Sequence, residues 1–165
     1  MEDIIETKEK KIILNTKQKY LSFEINNERY AIEILDVKEI IALMKFTEFP
    51  KMPHYMRGVI NLRGNIIPVV DIRMKLEMEE KEYNPRTPII ICIINDDLVG
   101  FIVDKTSDVL TIMPEHITES PKFGNGVNTQ FIKNVAKLGE EVVMIVDVVK
   151  LFTEEEIEIL EQMNK

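Results

Sequence analysis

The stretch Tyr20-Leu21-Ser22-Phe23-Glu24-Ile25-Asn26-Asn27-Glu28-Arg29-Tyr30-Ala31-Ile32-Glu33-Ile34 decides the fold class. Leu21, Phe23 and Ile25 alternate with Ser22 and Glu24; beyond Asn26-Asn27, Tyr30, Ile32 and Ile34 alternate with Ala31 and Glu33. Period two is the mark of extended backbone, whose successive side chains point to opposite faces. Asn tolerates the positive φ that a tight turn demands, so the stretch reads as a β-hairpin. The same grammar recurs at Val59 to Leu62, Arg63-Gly64-Asn65 and Ile66 to Val70. It returns at Ile89 to Ile94, Asn95-Asp96-Asp97 and Leu98 to Val103.

Outward from these hairpins, a fourth strand pair is expected at Phe131 to Leu138 and Val142 to Val148, turning at Gly139-Glu140, with one more strand at Val109 to Met113. The only definite helix is C-terminal, over 153–165: Thr153 with Glu156 makes a capping box, and Ile157, Leu160 and Met163 follow at helical spacing. Polar residues 77–84, then Pro85 and Pro88, separate two groups of short strands, each sufficient for a small barrel. The chain is therefore expected to be mainly β, with two linked five-stranded β-barrels, 19–84 and 85–148, and a C-terminal helix. Residues 1–18 mix acids and bases without a period and read as a mobile arm, in which Ile12-Ile13-Leu14 could add a strand to a sheet edge.

Composition narrows the function. In 165 residues, 45% hydrophobic and 30% charged is the balance of a globular protein, and the chain is long enough to bury a core without staples. The longest apolar run, Ile89 to Ile94, is far short of the roughly 20 residues of a membrane helix. The N-terminus is acidic where a signal peptide is basic. A cytoplasmic protein without direct membrane insertion is expected. A net charge of -8 argues against nucleic acid, which is bound through clustered Lys and Arg. The single cysteine, Cys92, lies inside the apolar run and reads as a buried hydrophobe.

Catalytic constellations are missing. No phosphate-binding Gly-x-x-x-x-Gly-Lys pattern occurs, and Gly124-Asn125-Gly126 lacks the glycine and strand of a dinucleotide fingerprint. His54 and His116 stand alone beside prolines, without ligand spacing, so no metal is expected. Asp71, Asp104 and Asp147 each follow an apolar strand. A shared carboxylate site would need all three together; repeated topology, with each Asp accepting backbone N–H bonds where the chain turns, explains them without one. Arg63, at a hairpin tip beside Gly64, has two open readings: a solvated turn residue, or a guanidinium presented outward.

The stretch Tyr55-Met56-Arg57-Gly58-Val59-Ile60-Asn61-Leu62-Arg63-Gly64-Asn65-Ile66-Ile67-Pro68-Val69-Val70-Asp71-Ile72-Arg73 resembles the signature of the CheW family. The resemblance continues through Tyr30-Ala31-Ile32, Val37-Lys38-Glu39-Ile40, Val99-Gly100, Val103-Asp104, Asp108-Val109-Leu110 and Val135-Ala136-Lys137-Leu138-Gly139, covering residues 18 to 160. It implies a CheW-like domain over 19–152 built from two SH3-like barrels, with no catalytic activity and no cofactor. It also implies two protein partners: the histidine kinase CheA, through its CheW-like regulatory domain, and the coiled-coil hairpin tip of a chemoreceptor, which would recruit the protein to membrane-associated arrays. No room remains for a kinase or receiver region, so the chain resembles the stand-alone adaptor.

By the same resemblance, Val37, Glu39, Ile40, Gly58, Arg63, Gly100 and Val109 match the receptor-binding surface. Apolar Val37, Ile40 and Val109 would line a groove, the glycines would let a helix approach, and Arg63 with Glu39 would fix orientation or hold the groove in shape. Phe123, on the Pro121-Lys122-Phe123 loop, matches a kinase contact, either as an exposed anchor or as a ring tucked under its own loop. Two positions depart from the family pattern: Thr106 stands where Val is usual, and Asn134 where Gly is usual. Two rivals remain: a small barrel enzyme or ligand sensor using a cleft between barrels, and an adaptor serving a pathway other than swimming.

Overall fold

The computed structural model describes residues 18–119 and 131–163. The four expected hairpins form β1 (Lys19–Ile25) with β2 (Glu28–Glu33), β4 (Met56–Leu62) with β5 (Asn65–Asp71), β6 (Pro88–Ile94) with β7 (Asp97–Ile102), and β10 (Ile132–Leu138) with β11 (Glu141–Val146). Each turns through two residues. Asn26, Asn27, Arg63, Gly64, Asn95, Asp96 and Gly139 all have positive φ, as turns whose twist matches the strands require. β3 (Val37–Ala42), β8 (Lys105–Thr111) and the short β9 (Ile117–Glu119) complete the strands; β8 begins before the expected Val109 and stops before Met113. A short helix α1 (Ile72–Lys75) follows β5, and α2 (Glu154–Met163) ends the described chain. The capping box forms: Thr153 N–H donates to Glu156 Oε1 at 2.9 Å and Glu156 N–H to Thr153 Oγ1 at 3.2 Å.

The strands make two sheets, ordered β8-β1-β2-β11-β10-β9 and β3-β6-β7-β5-β4. In the second, a bridge between Thr47 and Val59 ties the continuation of β3 to β4 and brings the two margins of the sheet together. In the first, β8 runs through a 3-10 turn at Pro114–His116 into β9, so one bent segment supplies both margins. The expected division into 19–84 and 85–148 is corrected here. The contiguous barrel takes β3 to β7, and the other is split, combining the N-terminal hairpin β1–β2 with β8 to β11. Parallel pairing of β2 with β11 and of β5 with β7 is the physical reason, because it seats a hairpin beside a strand remote in sequence.

The two barrels repeat one plan. The pairs Ile25–Glu28 and Ile94–Asp97 flank equivalent turns, as do Leu62–Asn65 and Leu138–Glu141. Register slips between Met56 and Gly58 and again between Ile132 and Asn134, so Asn134 is the counterpart of Gly58. Asp71 accepts from Met74 N–H at 3.2 Å and Asp147 from Val149 N–H at 3.1 Å, each starting a helical turn.

Three apolar clusters hold this arrangement. Ile60, Ile67, Val69, Ile89, Ile91 and Ile102 fill the contiguous barrel; Tyr20, Ala31, Ile112, Ala136, Val143 and Ile145 fill the split one. The largest lies between them, where Leu21, Phe23, Ile25, Tyr30 and Val146 meet Val70, Ile90, Cys92, Ile94 and Phe101. Leu151, Phe152 and Leu160 seal it from the C-terminal end. The run Ile89 to Ile94 is continuous because Ile89 and Ile91 face one core and Ile90, Cys92 and Ile94 the other.

Burial pushes the Cys92 thiol well above its ordinary range, with Asp36 adding to the shift. Because the thiolate is the reactive form, Cys92 will resist a thiol reagent at pH 8 in the native protein and react once the barrels part. Phe101→Ala, which hollows the same core, will cost about 3–5 kcal/mol and speed the labelling in proportion. Rapid labelling of the folded wild type would contradict this placement.

Candidate functional site

β3 and β8 are equivalent strands at the margins of the inter-barrel core. Ile40 pairs with Ile90 and Val109 with Leu21, and both Ile90 and Leu21 belong to that core. Cross-strand partners share a face, so Ile40, 43% exposed, and Val109, 52% exposed, border the core from the two barrels. The next pairs outward are Val37 with Cys92 and Thr106 with Phe23. Thr106 is thus the counterpart of Val37, which is itself half-buried against the central core.

Arg63 and Gly64 form the tip of the β4–β5 hairpin. Arg63 sits at φ 51, in a left-handed conformation that the other hairpins assign to Asn, Asp or Gly. Its Nη2 donates to Glu39 Oε1, joining the hairpin tip to β3 beside Ile40. Asn61 Oδ1 accepts from Gly64 N–H at 2.9 Å and fastens the turn from within. Arg63 remains largely exposed while it holds Glu39.

The structure places both glycines of the expected surface inside the fold. Gly58 is buried at φ 142, and a Cβ there would stand 2.3 Å from the Thr47 carbonyl oxygen. The flanking bonds, Thr47 N–H to Val59 O at 2.8 Å and Val59 N–H to Thr47 O at 2.9 Å, are those that close the barrel. Gly100 is buried in β7, where a Cβ would meet Ile89 Cγ2 at 2.9 Å. Each glycine serves close approach within the fold. Phe123 lies outside the described residues.

The three aspartates stay apart in function. Asp104 Oδ2 accepts from Arg73 Nη1 at 2.6 Å and from Asn26 N–H at 2.8 Å, stapling the first hairpin to the contiguous barrel. Tyr83 donates its hydroxyl to Asp71 Oδ2; burial, reinforced by this bond, pushes the Tyr83 hydroxyl well above its usual range. Asp147 caps its own turn. Among the described residues no group of three His, Cys, Asp or Glu side chains could hold a metal. In one cleft, lined in part by Asp71, Arg73, Tyr83 and Asp104, Arg73 is already paired with Asp104, and Asp71 already accepts from Tyr83. Space between the barrels, where a ligand sensor would need its cleft, is occupied by the central apolar core.

Elsewhere, burial first and then Glu33 and Asp147 raise the Asp36 carboxyl, while Lys133 is raised chiefly by its bond to Glu33 at 2.8 Å. Lys75 lies over the Tyr55 ring at 4.4 Å and donates to Glu156 at 2.9 Å, clamping α2 to the contiguous barrel; burial lowers its ammonium. Sequence reasoning missed Arg73, Lys75 and Tyr83. The signal for the two cations was the Asp-x-Arg-x-Lys spacing after β5, which places a cation one turn beyond a capping aspartate; Tyr83 has no such local signal.

Three comparisons bear on this arrangement. A family model described as the CheW-like domain matches residues 19–156. The chemotaxis protein CheW of Klebsiella aerogenes is 34% identical over 148 residues, 90% of this chain and 89% of that protein. The chemotaxis protein CheW of Bacillus subtilis is 35% identical over 134 residues, 81% and 86% of the two chains. The crystal structure of the scaffolding protein TtCheW from Thermoanaerobacter tengcongensis superimposes with a TM-score of 0.76 at 30% identity, covering 82% of this chain and 92% of that one.

Gly58→Ala and Gly100→Ala will each lower the thermal midpoint, by the equivalent of about 1–3 kcal/mol. Gly64→Ala, where a Cβ meets nothing within 4 Å, will show only the smaller backbone cost of its φ of +88. Melting curves decide the order, and an unaltered midpoint for Gly58→Ala would remove the barrel-closing role.

Proposed function

The chain belongs to the CheW-like domain family and is a scaffold rather than an enzyme, and from that premise we propose that it couples chemoreceptor tips to the histidine kinase CheA. The receptor side of this adaptor consists of Ile40 and Val109, backed by Val37 and oriented by Arg63 with Glu39. Gly58 and Gly100 act on it through the barrel beneath. Phe123 supplies a kinase contact in the same reading, and the kinase's own CheW-like domain is its counterpart. No described helix is long and apolar enough to cross a membrane; a cytoplasmic protein recruited to receptor arrays fits this reading.

One observation carries the proposal. Arg63 occupies a left-handed turn position at a conformational cost and reaches Glu39 beside exposed Ile40, with the guanidinium still largely open to solvent. An exposed ion pair contributes only about 0–1 kcal/mol, about the size of the cost of placing a bulky residue there. Stability alone therefore does not account for Arg63. A fork of donors flanked by an exposed isoleucine suits a helical partner that offers an acceptor beside an apolar stripe.

The test is co-sedimentation of the full chain with a receptor cytoplasmic fragment and, separately, with the kinase. Arg63→Asn, which suits the turn, will keep the thermal midpoint within a few degrees while receptor affinity falls about tenfold or more, equivalent to about 1.4 kcal/mol. Ile40→Asp will do the same. Undiminished receptor binding by both folded variants would refute the surface, and failure of the wild type to bind either partner would refute the coupling function.

A further inference from the structure

Both barrels face one mechanical problem at their receptor-bordering strand. Register slips on β3 between Val37 and Glu39, just before Ile40, and where β8 meets β1 between the pairs of Thr106 and Val109. A bulge interrupts the ladder and leaves a backbone group without its strand partner. In the contiguous barrel, Arg63 holds the bulge by its bond to Glu39. The split barrel has no such arginine, because the counterpart of Arg63 in the β10–β11 turn is Gly139.

The split barrel uses a different clamp. Ser22 is wholly buried and pairs with Ala31, yet it donates its hydroxyl to the Asp108 carbonyl at 2.7 Å. Its counterpart in the contiguous barrel is Ile91, which has no hydroxyl to offer. Arg29 reaches Ser22 Oγ with Nη2 at 3.4 Å and Glu141 Oε2 with Nη1 at 2.6 Å. The chain Glu141, Arg29, Ser22 and Asp108 thus ends on the residue before Val109. A buried hydroxyl among apolar neighbours is costly unless bonded, and the bulge carbonyl of Asp108 is the group it satisfies.

We propose that Ser22 and Arg29 are positioning residues for the receptor surface, doing for Val109 on β8 what Arg63 does for Ile40 on β3. This rests on the reading of Val109 as part of that surface. Neither residue touches the partner: Ser22 fixes the bulge, and Arg29, braced by Glu141, fixes Ser22. Thr106, the polar counterpart of Val37, lies on the same strand and is oriented by the same clamp.

The experiment compares Ser22→Ala, Arg29→Gln, Arg29→Lys and Val109→Asp in the full chain, measuring receptor-fragment binding, kinase binding and hydrogen exchange of the amides at 105–111. Ser22→Ala and Arg29→Gln are expected to weaken receptor binding about tenfold, leave kinase binding within about twofold and speed exchange on β8 alone. Arg29→Lys is expected to recover most of the affinity. Equal loss of both partners would reduce the pair to general fold support and overturn the inference. So would unchanged receptor affinity in variants whose β8 exchange is faster. If that unchanged affinity accompanies a Val109→Asp variant that no longer binds receptor, the surface stands and the clamp alone fails. If Val109→Asp also binds normally, it is the assignment of Val109 that has failed, and the positioning role falls with it.

Discussion

The apolar core between the two barrels is the constraint on which the other features depend. Strands β1, β5, β6 and β7 are buried on both faces, one toward their own barrel and one toward the other barrel. Each large side chain buried there contributes about 1.5–3 kcal/mol against the entropy of ordering the chain, so separating the barrels would open the largest of the three apolar clusters. The covalent path reinforces this. The chain leaves the split barrel after β2, builds the contiguous barrel and returns at β8, so no single cut divides the halves. Helix α2 closes the seam, with Leu160 in the core and Glu156 bound by Lys75.

Against this shared frame, equivalent positions of the two barrels differ in chemistry. A hairpin tip is Arg63 in one barrel and Gly139 in the other; an inward strand position is Ile91 in one and Ser22 in the other; a margin position is Val37 in one and Thr106 in the other. A duplicated fold with identical halves would offer the same surface twice. These substitutions leave the topology intact, because each occurs at a turn, at a bulge or at a solvent margin where backbone hydrogen bonds do not depend on the side chain. The departure of Asn134 from the usual glycine is absorbed the same way: its counterpart Gly58 is pressed against Thr47, whereas Asn134 faces Glu119 on the short β9.

Much of the fold was legible in the sequence because its signals are local. Asn26-Asn27, Arg63-Gly64, Asn95-Asp96 and Gly139-Glu140 announce tight turns between alternating runs, and Thr153 with Glu156 announces a helix start. What could not be read is non-local. Parallel pairing of β2 with β11 and β5 with β7 leaves no mark on either strand, so the barrels were divided by sequence order and the division was wrong. Strand β3 escaped notice because its bulge breaks the alternation at Lys38-Glu39. On the candidate surface, the pairing of Arg63 with Glu39 was foreseen as one of two roles, and the structure forms it. The burial of Gly58 and Gly100 could not be read, because a glycine looks the same in sequence whether it admits a partner helix or its own neighbouring strand.

A scaffold without chemistry can influence a kinase only through contacts that differ between the kinase's active and inactive arrangements. Contacts of that kind must be displayed on elements that do not themselves yield, because a compliant surface would absorb a small receptor displacement before transmitting it. Ile40 and Val109 sit on bulged strands, the least regular parts of their sheets, which suits adaptability but threatens rigidity. The clamps answer that threat with little net stability. Arg63 offsets a left-handed turn with an exposed ion pair, and Ser22 offsets a buried hydroxyl with a carbonyl that the bulge left free. Interactions whose favourable and unfavourable parts nearly cancel add little to folding, so their retention is best understood through the geometry they impose on the residues beside them.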